Sequence, residues 1–398
     1  MAGLSPSVRF VIATIVIDAI GFGIIIPVTP RLLMEVGGLD IAQAARFGGA
    51  LSLLYAGFQF LLGPVMGNLG DRFGRRPVLL GSLAGFSLNF ALMAFAPSLT
   101  WLLIGQAIAG IFGGTYGPAQ AALADISKAE DRARVFGMVG AAFGIGFVIG
   151  PVIGGLLGEY GHRVPFLVAA GLAALNFVYG LTVFPETLSP ANRRPFDWRR
   201  ANPFGAFKNL GKLPGITRLG LVLLVWQISS LIYPLTWSYY LIAGFGASGA
   251  TIGWTLAFVG ISMALIQIFL TGRAVQRFGE RKVAMFGLLG ATLAYAGFLF
   301  GPHWHWALVL SIFMPLQSLV QPSLAALVSK RGQADNQGEV QGFTASIMSL
   351  GSIIAPLLLN PVLAYFSGPA APIFAPGAAF IIAALMSLLA LVWVARVA

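Results

Sequence analysis

Of the thirteen acidic residues in this chain of 398, twelve fall in loops or at the ends of apolar blocks, and one, Asp18, falls well inside a block. It sits about ten residues into the first apolar stretch, or ~15 Å along a helix, near the middle of a hydrocarbon layer ~30 Å thick. Such a site disfavours a lasting charge. A carboxyl group held there can take up and release one proton per cycle, or it can stay protonated and serve only to bond a neighbouring helix.

Two further constellations carry charge or backbone freedom. Gly67-Asn68-Leu69-Gly70-Asp71-Arg72-Phe73-Gly74-Arg75-Arg76 places glycines, one acid and three arginines in fixed order. Gly67 and Gly74 allow a sharp turn and close helix approach. Arg75 or Arg72 can pair with Asp125, and Asp71 can face the positive end of a helix dipole. Gly146, Gly150 and Gly154 recur every fourth residue beside Pro151 and Gly155. That spacing puts the first three on one helix face as a groove for another helix, with Pro151 permitting a bend.

Neutral polar and aromatic residues inside apolar blocks form a third set: Gln59, Asn89, Gln106, Tyr116, Gln120, Asn176, Trp226, Gln227, Tyr233, Trp237, Gln267, Gln317 and Gln321. Amides mixed with aromatic rings suit a bulky amphipathic molecule held by stacking and a few hydrogen bonds. Each one taken singly is explained as well by interhelical bonding. Tyr233-Pro234 is a candidate hinge or kink.

The elements that must position these residues are membrane helices. The chain is 58% hydrophobic and 9% charged, with a mean hydropathy of +0.86, outside the range of soluble domains. Apolar blocks about 20 residues long, without alternation, select helices over a barrel. Twelve spans are expected: 8–30, 47–66, 78–96, 99–122, 133–157, 165–184, 217–243, 250–272, 283–301, 306–328, 339–364 and 373–395.

The net charge of +11 does not imply a nucleic-acid partner once the cations are placed. Twenty-one of the 24 lysines and arginines fall in one set of loops, leaving Arg31, Arg46 and Arg163 in the other. This asymmetry puts both termini in the cytoplasm. The first block is too long for a signal-peptide core and is expected to remain as a span. Trp304 and Trp306, beside His303 and His305, read as an interfacial aromatic belt rather than a metal site.

The polar stretch 185–216 divides an N-terminal six-helix half, 1–184, from a C-terminal half, 217–398. At an offset of 205 residues Gly67 meets Gly272, Arg72 meets Arg277, Phe73 meets Phe278, Gly74 meets Gly279, Arg76 meets Arg281, Gly137 meets Gly342 and Pro151 meets Pro356. A duplicated helical unit is expected, with a substrate site between halves near the midplane. Gln276 stands where Asp71 has its repeat, which predicts a weaker latch in the second copy.

The loop Gly67 to Arg76 resembles the signature of the major facilitator superfamily, and Gly146 to Gly155 resembles the antiporter motif of its drug-exporting branch. Asp18 to Pro27 and Ala124 to Arg134 resemble the tetracycline/proton antiporters, and the similarity extends over nearly the whole chain. The resemblance implies an all-α membrane protein with the major facilitator fold, exporting an amphipathic drug-like molecule in exchange for protons. It implies that Asp18 couples to protons. Gly67, Asp71, Arg72, Gly74, Arg75, Arg76 and Asp125 are then the latch of the outward-facing state, and Gly146, Gly150, Pro151, Gly154 and Gly155 block a leak. Those relatives commonly carry an arginine in span four, where this chain has Gln106, and an acid in span nine, where it has none. Coupling therefore falls to Asp18 among neutral polar neighbours.

The alternative is a facilitator or proton symporter for a sugar or other small metabolite. No nucleotide loop, paired-histidine metal motif or catalytic triad is visible, so an enzyme is not expected. The expected partners are a small molecule, protons and lipid, with no cofactor and no metal. The chain is expected to act as a monomer in a bacterial inner membrane.

Overall fold

A computed structural model describes residues 6–112, 116–127, 132–198, 201–202, 216–299, 313–331 and 337–396. These residues are helical throughout their ordered elements, with no strand among them. In the first part of the chain the helices are α1 (Pro6–Ile25), α2 (Thr29–Gly37), α3 (Ile41–Phe73), α4 (Arg75–Phe95), α5 (Leu99–Ile111), α6 (Tyr116–Ile126), α7 (Arg132–Gly158) and α8 (Val164–Val183). Then follow α9 (Ile216–Ser230), α10 (Ile232–Phe245), α11 (Gly249–Leu265), α12 (Gly272–Leu299), α13 (Val320–Ser329), α14 (Gln337–Ser367) and α15 (Ala378–Arg396). A π-helical turn, Ile266–Thr271, joins α11 to α12.

Nine helical runs among the described residues are long and apolar enough to cross a bilayer, and Leu99–Ile111 is a shorter apolar helix. One of the nine, Gly249–Leu299, has 51 residues. A straight helix of that length would extend about 75 Å, more than twice a hydrocarbon layer. It turns at Gly279, whose φ of 78° lies in the left-handed region, so two expected spans meet there. The expected span 99–122 is two helices, α5 and α6, on either side of residues outside the described set. The expected span 217–243 breaks at Leu231 into α9 and α10. The cause is Pro234, which has no N–H for the Ser230 carbonyl. Of the expected span 306–328, residues 306–312 lie outside the described residues, as do His303, Trp304 and His305.

The chain forms two compact units. The first comprises residues 1–37, 54–203 and 249–257, and the second 38–53, 204–248 and 258–398. In the first, α1 packs along α7 and α8, and α4 along α8. Phe10, Val11 and Ile15 of α1 meet Leu79, Leu83, Leu123 and Val139 in its core, and Phe10 stacks on Phe184 at 4.9 Å. In lipid such contacts act by close packing rather than by expelling water. In the second unit, α12 packs along α15, and α9 along α14 and α15. Its core is aromatic: Trp237, Tyr240, Phe298 and Phe380 meet with centroids 5.0 to 6.3 Å apart.

Candidate functional site

Asp18 lies in α1, half-buried, with its Oδ2 shielded from solvent. Tyr55 of α3 belongs to the same unit and lies within electrostatic reach of this carboxyl. One turn along α3, Gln59 Nε2 donates to Tyr55 Oη at 3.2 Å. The bonded pair Tyr55 and Gln59 on α3 is thus the polar group of the first unit that lies within electrostatic reach of Asp18. Tyr55 was not among the sequence candidates. Its signal was the four-residue spacing to Gln59, which puts both on one helix face.

The glycines of α7 hold the helix that carries Asp18. A Cβ on Gly146 would lie 2.6 Å from the Val16 carbonyl and from Ala19 Cβ, and one on Gly150 would lie 2.6 Å from the Ile20 carbonyl. Gly154 abuts Ile24 in the same way. The stripe therefore seats α1 on both sides of Asp18, and any side chain there would push the acid off its position. Pro151 lies against Gly23, and Gly155 lies against the Gly249 backbone at the start of α11. On the opposite side Thr14 Oγ1 donates to Asn176 Oδ1 at 3.2 Å. Asn176 is spent on holding α1 to α8.

Gln106, on α5, donates to Met93 Sδ at 3.4 Å. The next turn is close-packed: a Cβ on Gly110 would lie 2.7 Å from the Tyr55 carbonyl, so α5 rides on the backbone of Tyr55. Asn89 of α4 is buried, with Oδ1 pointing at Gly105 and no hydrogen-bond partner for that atom among the described residues. Gln120 is half-buried on α6. Tyr116 begins α6, but its side chain lies outside the described residues.

The candidates in the second unit have varied surroundings. Trp226 is buried, and Gln227 packs over Gly351. Tyr233 and Trp237 meet as tilted rings, centroids 4.7 Å apart, inside the aromatic core. Gln317 is buried and accepts from Tyr295 Oη at 2.7 Å. Gln321 donates to Met348 Sδ at 3.6 Å. Gln267 is exposed in the π-helical turn. Asn360 of α14, overlooked in the sequence, is fully buried and donates to the Ala45 carbonyl at 3.0 Å.

A second cluster stands where α3 turns into α4. Arg75 reaches Asp71 at 2.8 Å and Asp125 at 2.9 Å, with only 14% of its side chain exposed. It is therefore Arg75, not Arg72, that joins the ends of α3, α4 and α6. Arg72 lies over the Phe73 ring at 5.0 Å. Arg76 Nη2 donates to the Leu181 carbonyl at 2.8 Å, in the last turn of α8. Gly67 has open space around it, whereas Gly74, at φ 107°, touches Glu186.

Glu186 supplies what the sequence did not reveal. Its carboxylate accepts from the Arg75 and Arg76 amides at 2.8 and 3.3 Å, which places a negative charge at the N-terminus of α4. The segment after α8 then returns along the same turn. Arg194 N donates to the Asp71 carbonyl at 3.0 Å, and Asn68 Nδ2 donates to the Asp197 carbonyl at 2.7 Å. On another surface of the first unit, Arg163 and His162 each lie 3.0 Å from Glu35. The Arg163 hydrogen bond holds the Glu35 carboxyl below its ordinary range. Among the described residues no group of three or more histidine, aspartate or glutamate side chains is placed to hold a metal.

The Major Facilitator Superfamily model matches the chain twice, over residues 11–241 and 219–398. Among curated proteins, the chain is 38% identical over 354 residues to the class C tetracycline resistance protein of Escherichia coli, covering 89% of each. It is 31% identical to the class B protein of the same organism, over 89% of this chain and 88% of that one. Among solved structures, a mutant form of the nucleoside transporter NupG matches with a TM-score of 0.82 at 13% identity, covering 99% of this chain and 100% of that one. The human organic anion transporter MFSD10 matches with a TM-score of 0.71 at 24% identity, covering 98% and 99%. With its paired matches, all-helical fold and arginine-rich turn between α3 and α4, the chain belongs to the major facilitator superfamily.

Proposed function

We propose that this chain exports an amphipathic, tetracycline-like molecule in exchange for protons, through alternating access of two six-helix halves, 1–184 and 217–398. The observation that carries the reading is the Asp18, Tyr55 and Gln59 group on helices seated by the Gly146, Gly150 and Gly154 stripe. The similarity to tetracycline resistance proteins supplies the substrate class. Asp18 takes a proton from one side and releases it to the other, working among neutral polar neighbours. Arg75, bridging Asp71 and Asp125, serves as the latch. The basic asymmetry supports a cytoplasmic side for that turn and both termini, in a bacterial inner membrane, and the chain acts as a monomer in this reading.

Everted vesicles test the reading. With a proton gradient imposed, vesicles carrying the parent chain accumulate tetracycline, and those carrying Asp18→Asn do not. Accumulation that persists after the gradient is dissipated overturns it. Tetracycline and protons entering together would make the chain a symporter instead.

A further inference from the structure

The beginning of α9 and the end of α15 enclose a groove of about 390 Å³ lined by Arg218, Leu221, Val222, Trp393 and Arg396. Trp393 and Arg396 are three residues apart in the last turn of α15, so they share a face. Arg218 sits in the first turn of α9. The two helices pack together, and Ser229 Oγ donates to the Ala383 carbonyl at 2.7 Å between them. One wall is fixed further by Arg281 of α12, whose guanidinium donates to the Val394 carbonyl at 3.2 Å and to the Ala395 carbonyl. The carbonyls nearest Arg396 are thereby already answered by another cation.

Arg218 and Arg396 are exposed, and neither has an acidic partner among the described residues. Two guanidiniums, an indole and two aliphatic side chains at the end of membrane helices match a phosphate attached to an acyl chain. Arginine binds phosphate oxygens in pairs, tryptophan sits at headgroup level, and basic pockets between helices on the cytoplasmic side take anionic headgroups.

We propose that this groove binds one anionic phospholipid, its phosphate held by Arg218 and Arg396 and an acyl chain lying along Leu221 and Trp393. The molecule carries its own contrast. A second groove, of about 360 Å³, is lined by Leu270, Ala274, Phe278, Lys282, Phe286 and other apolar groups, with a single cation. It offers chain contact without paired guanidiniums and takes lipids regardless of headgroup charge.

Native mass spectrometry of the full chain in detergent tests this without reference to transport or orientation. Phosphatidylglycerol and phosphatidylcholine of identical acyl chains are titrated in turn, against the parent, Arg218→Gln with Arg396→Gln, and Arg218→Lys with Arg396→Lys. The expected result is one phosphatidylglycerol retained about tenfold more tightly than phosphatidylcholine by the parent, the preference lost with glutamine and partly kept with lysine. Phosphatidylglycerol also raises the melting temperature of the parent more than that of the glutamine variant. Equal retention of both lipids by the parent, or an unchanged preference in the glutamine variant, overturns the proposal. So does displacement of the bound phosphatidylglycerol by millimolar inorganic phosphate, which would make the site one for free anions. If the glutamine variant does not fold, the lysine pair and the phosphate competition decide the matter.

Discussion

The turn between α3 and α4 and the bend inside α12 are two copies of one device, and they are wired differently. At the shared offset of 205, Gly74 and Gly279 both have positive φ, 107° and 78°. Arg72 lies over Phe73 at 5.0 Å, and Arg277 over Phe278 at 5.5 Å. Arg76 donates to the last turn of α8 as Arg281 does to the last turn of α15. Helix C-termini carry partial negative charge, so each arginine pins the closing helix of its own repeat. The pair Arg75 and Asp125 at 2.9 Å reappears as Glu280 and Lys330 at 2.6 Å, at equivalent positions with the charges exchanged.

What the duplication preserves is therefore geometry and the presence of an ion pair, not its polarity. The first copy adds a second acid, Asp71, where the second has Gln276, and it adds Glu186 and the returning segment with Arg194 and Asp197. Its arginine is mostly covered, whereas Lys330 is 64% exposed. An exposed pair in water contributes little, and a covered one between two acids leaves unbalanced charge when broken. The first copy is a covered ion-pair bridge between two acids, the second a single exposed pair.

The largest contrast should come from the two left-handed glycines. Gly74→Ala meets both an unfavourable φ and the Glu186 carboxylate, and should cost about 2–3 kcal/mol. Gly279→Ala has open space and should cost about 1 kcal/mol; melting curves in detergent compare them. Equal costs would mean that Glu186 is not part of the first turn.

Next comes polarity. Arg75→Ala leaves Asp71 and Asp125 facing each other and should cost about 2 kcal/mol after allowing for partial exposure. Glu280→Gln should leave the melting temperature unchanged. Exchanging both partners, Glu280→Lys with Lys330→Glu, should preserve folding and transport, whereas Arg75→Asp with Asp125→Arg should not, because Asp71 still requires a cation beside it. Restoration by the second exchange would erase the distinction drawn between the copies.

A smaller, matched effect is expected from Arg76→Gln and Arg281→Gln, each about 1 kcal/mol through a lost helix-end interaction. A markedly larger loss at either one would show that the repeats do not share this bond. Outside both copies, Glu35 sets the scale for an exposed ion pair. Its folded carboxyl titrates below the ordinary 4.5, chiefly through the Arg163 hydrogen bond. The associated stability is present above 4.5 and is lost as pH falls through the lowered folded value. Glu35→Gln should therefore lower stability at pH 7 by roughly 0.5 kcal/mol. That difference should close below pH 4.5.

The sequence made Asp18 legible because a carboxyl inside an apolar block needs a reason, and the α7 stripe legible because its spacing matches the helix period. The offset exposed the repeated glycines and arginines. Tyr55 stayed hidden, since an aromatic residue in an apolar helix looks the same whether it packs or bonds. Glu186 meets the Arg75 amide over a separation of 111 residues, and Asn68 meets Asp197 over 129, which no local pattern encodes. Trp237 and Gln317 read as polar or aromatic candidates, yet tilted and edge-on ring contacts and the Tyr295 hydroxyl occupy them, and their surroundings depend on which helices become neighbours. The break at Leu231 lies three residues before Pro234 because a missing N–H is felt one helical turn upstream.

The central claim is that the carboxyl group in α1 is the proton carrier, and substrate-induced proton release tests it most directly. Purified protein in weakly buffered detergent solution, followed with a pH indicator, should release protons when tetracycline is added. Asp18→Asn, confirmed as folded by its melting curve, should release none. Undiminished release from that variant would contradict the account and assign the proton to another group.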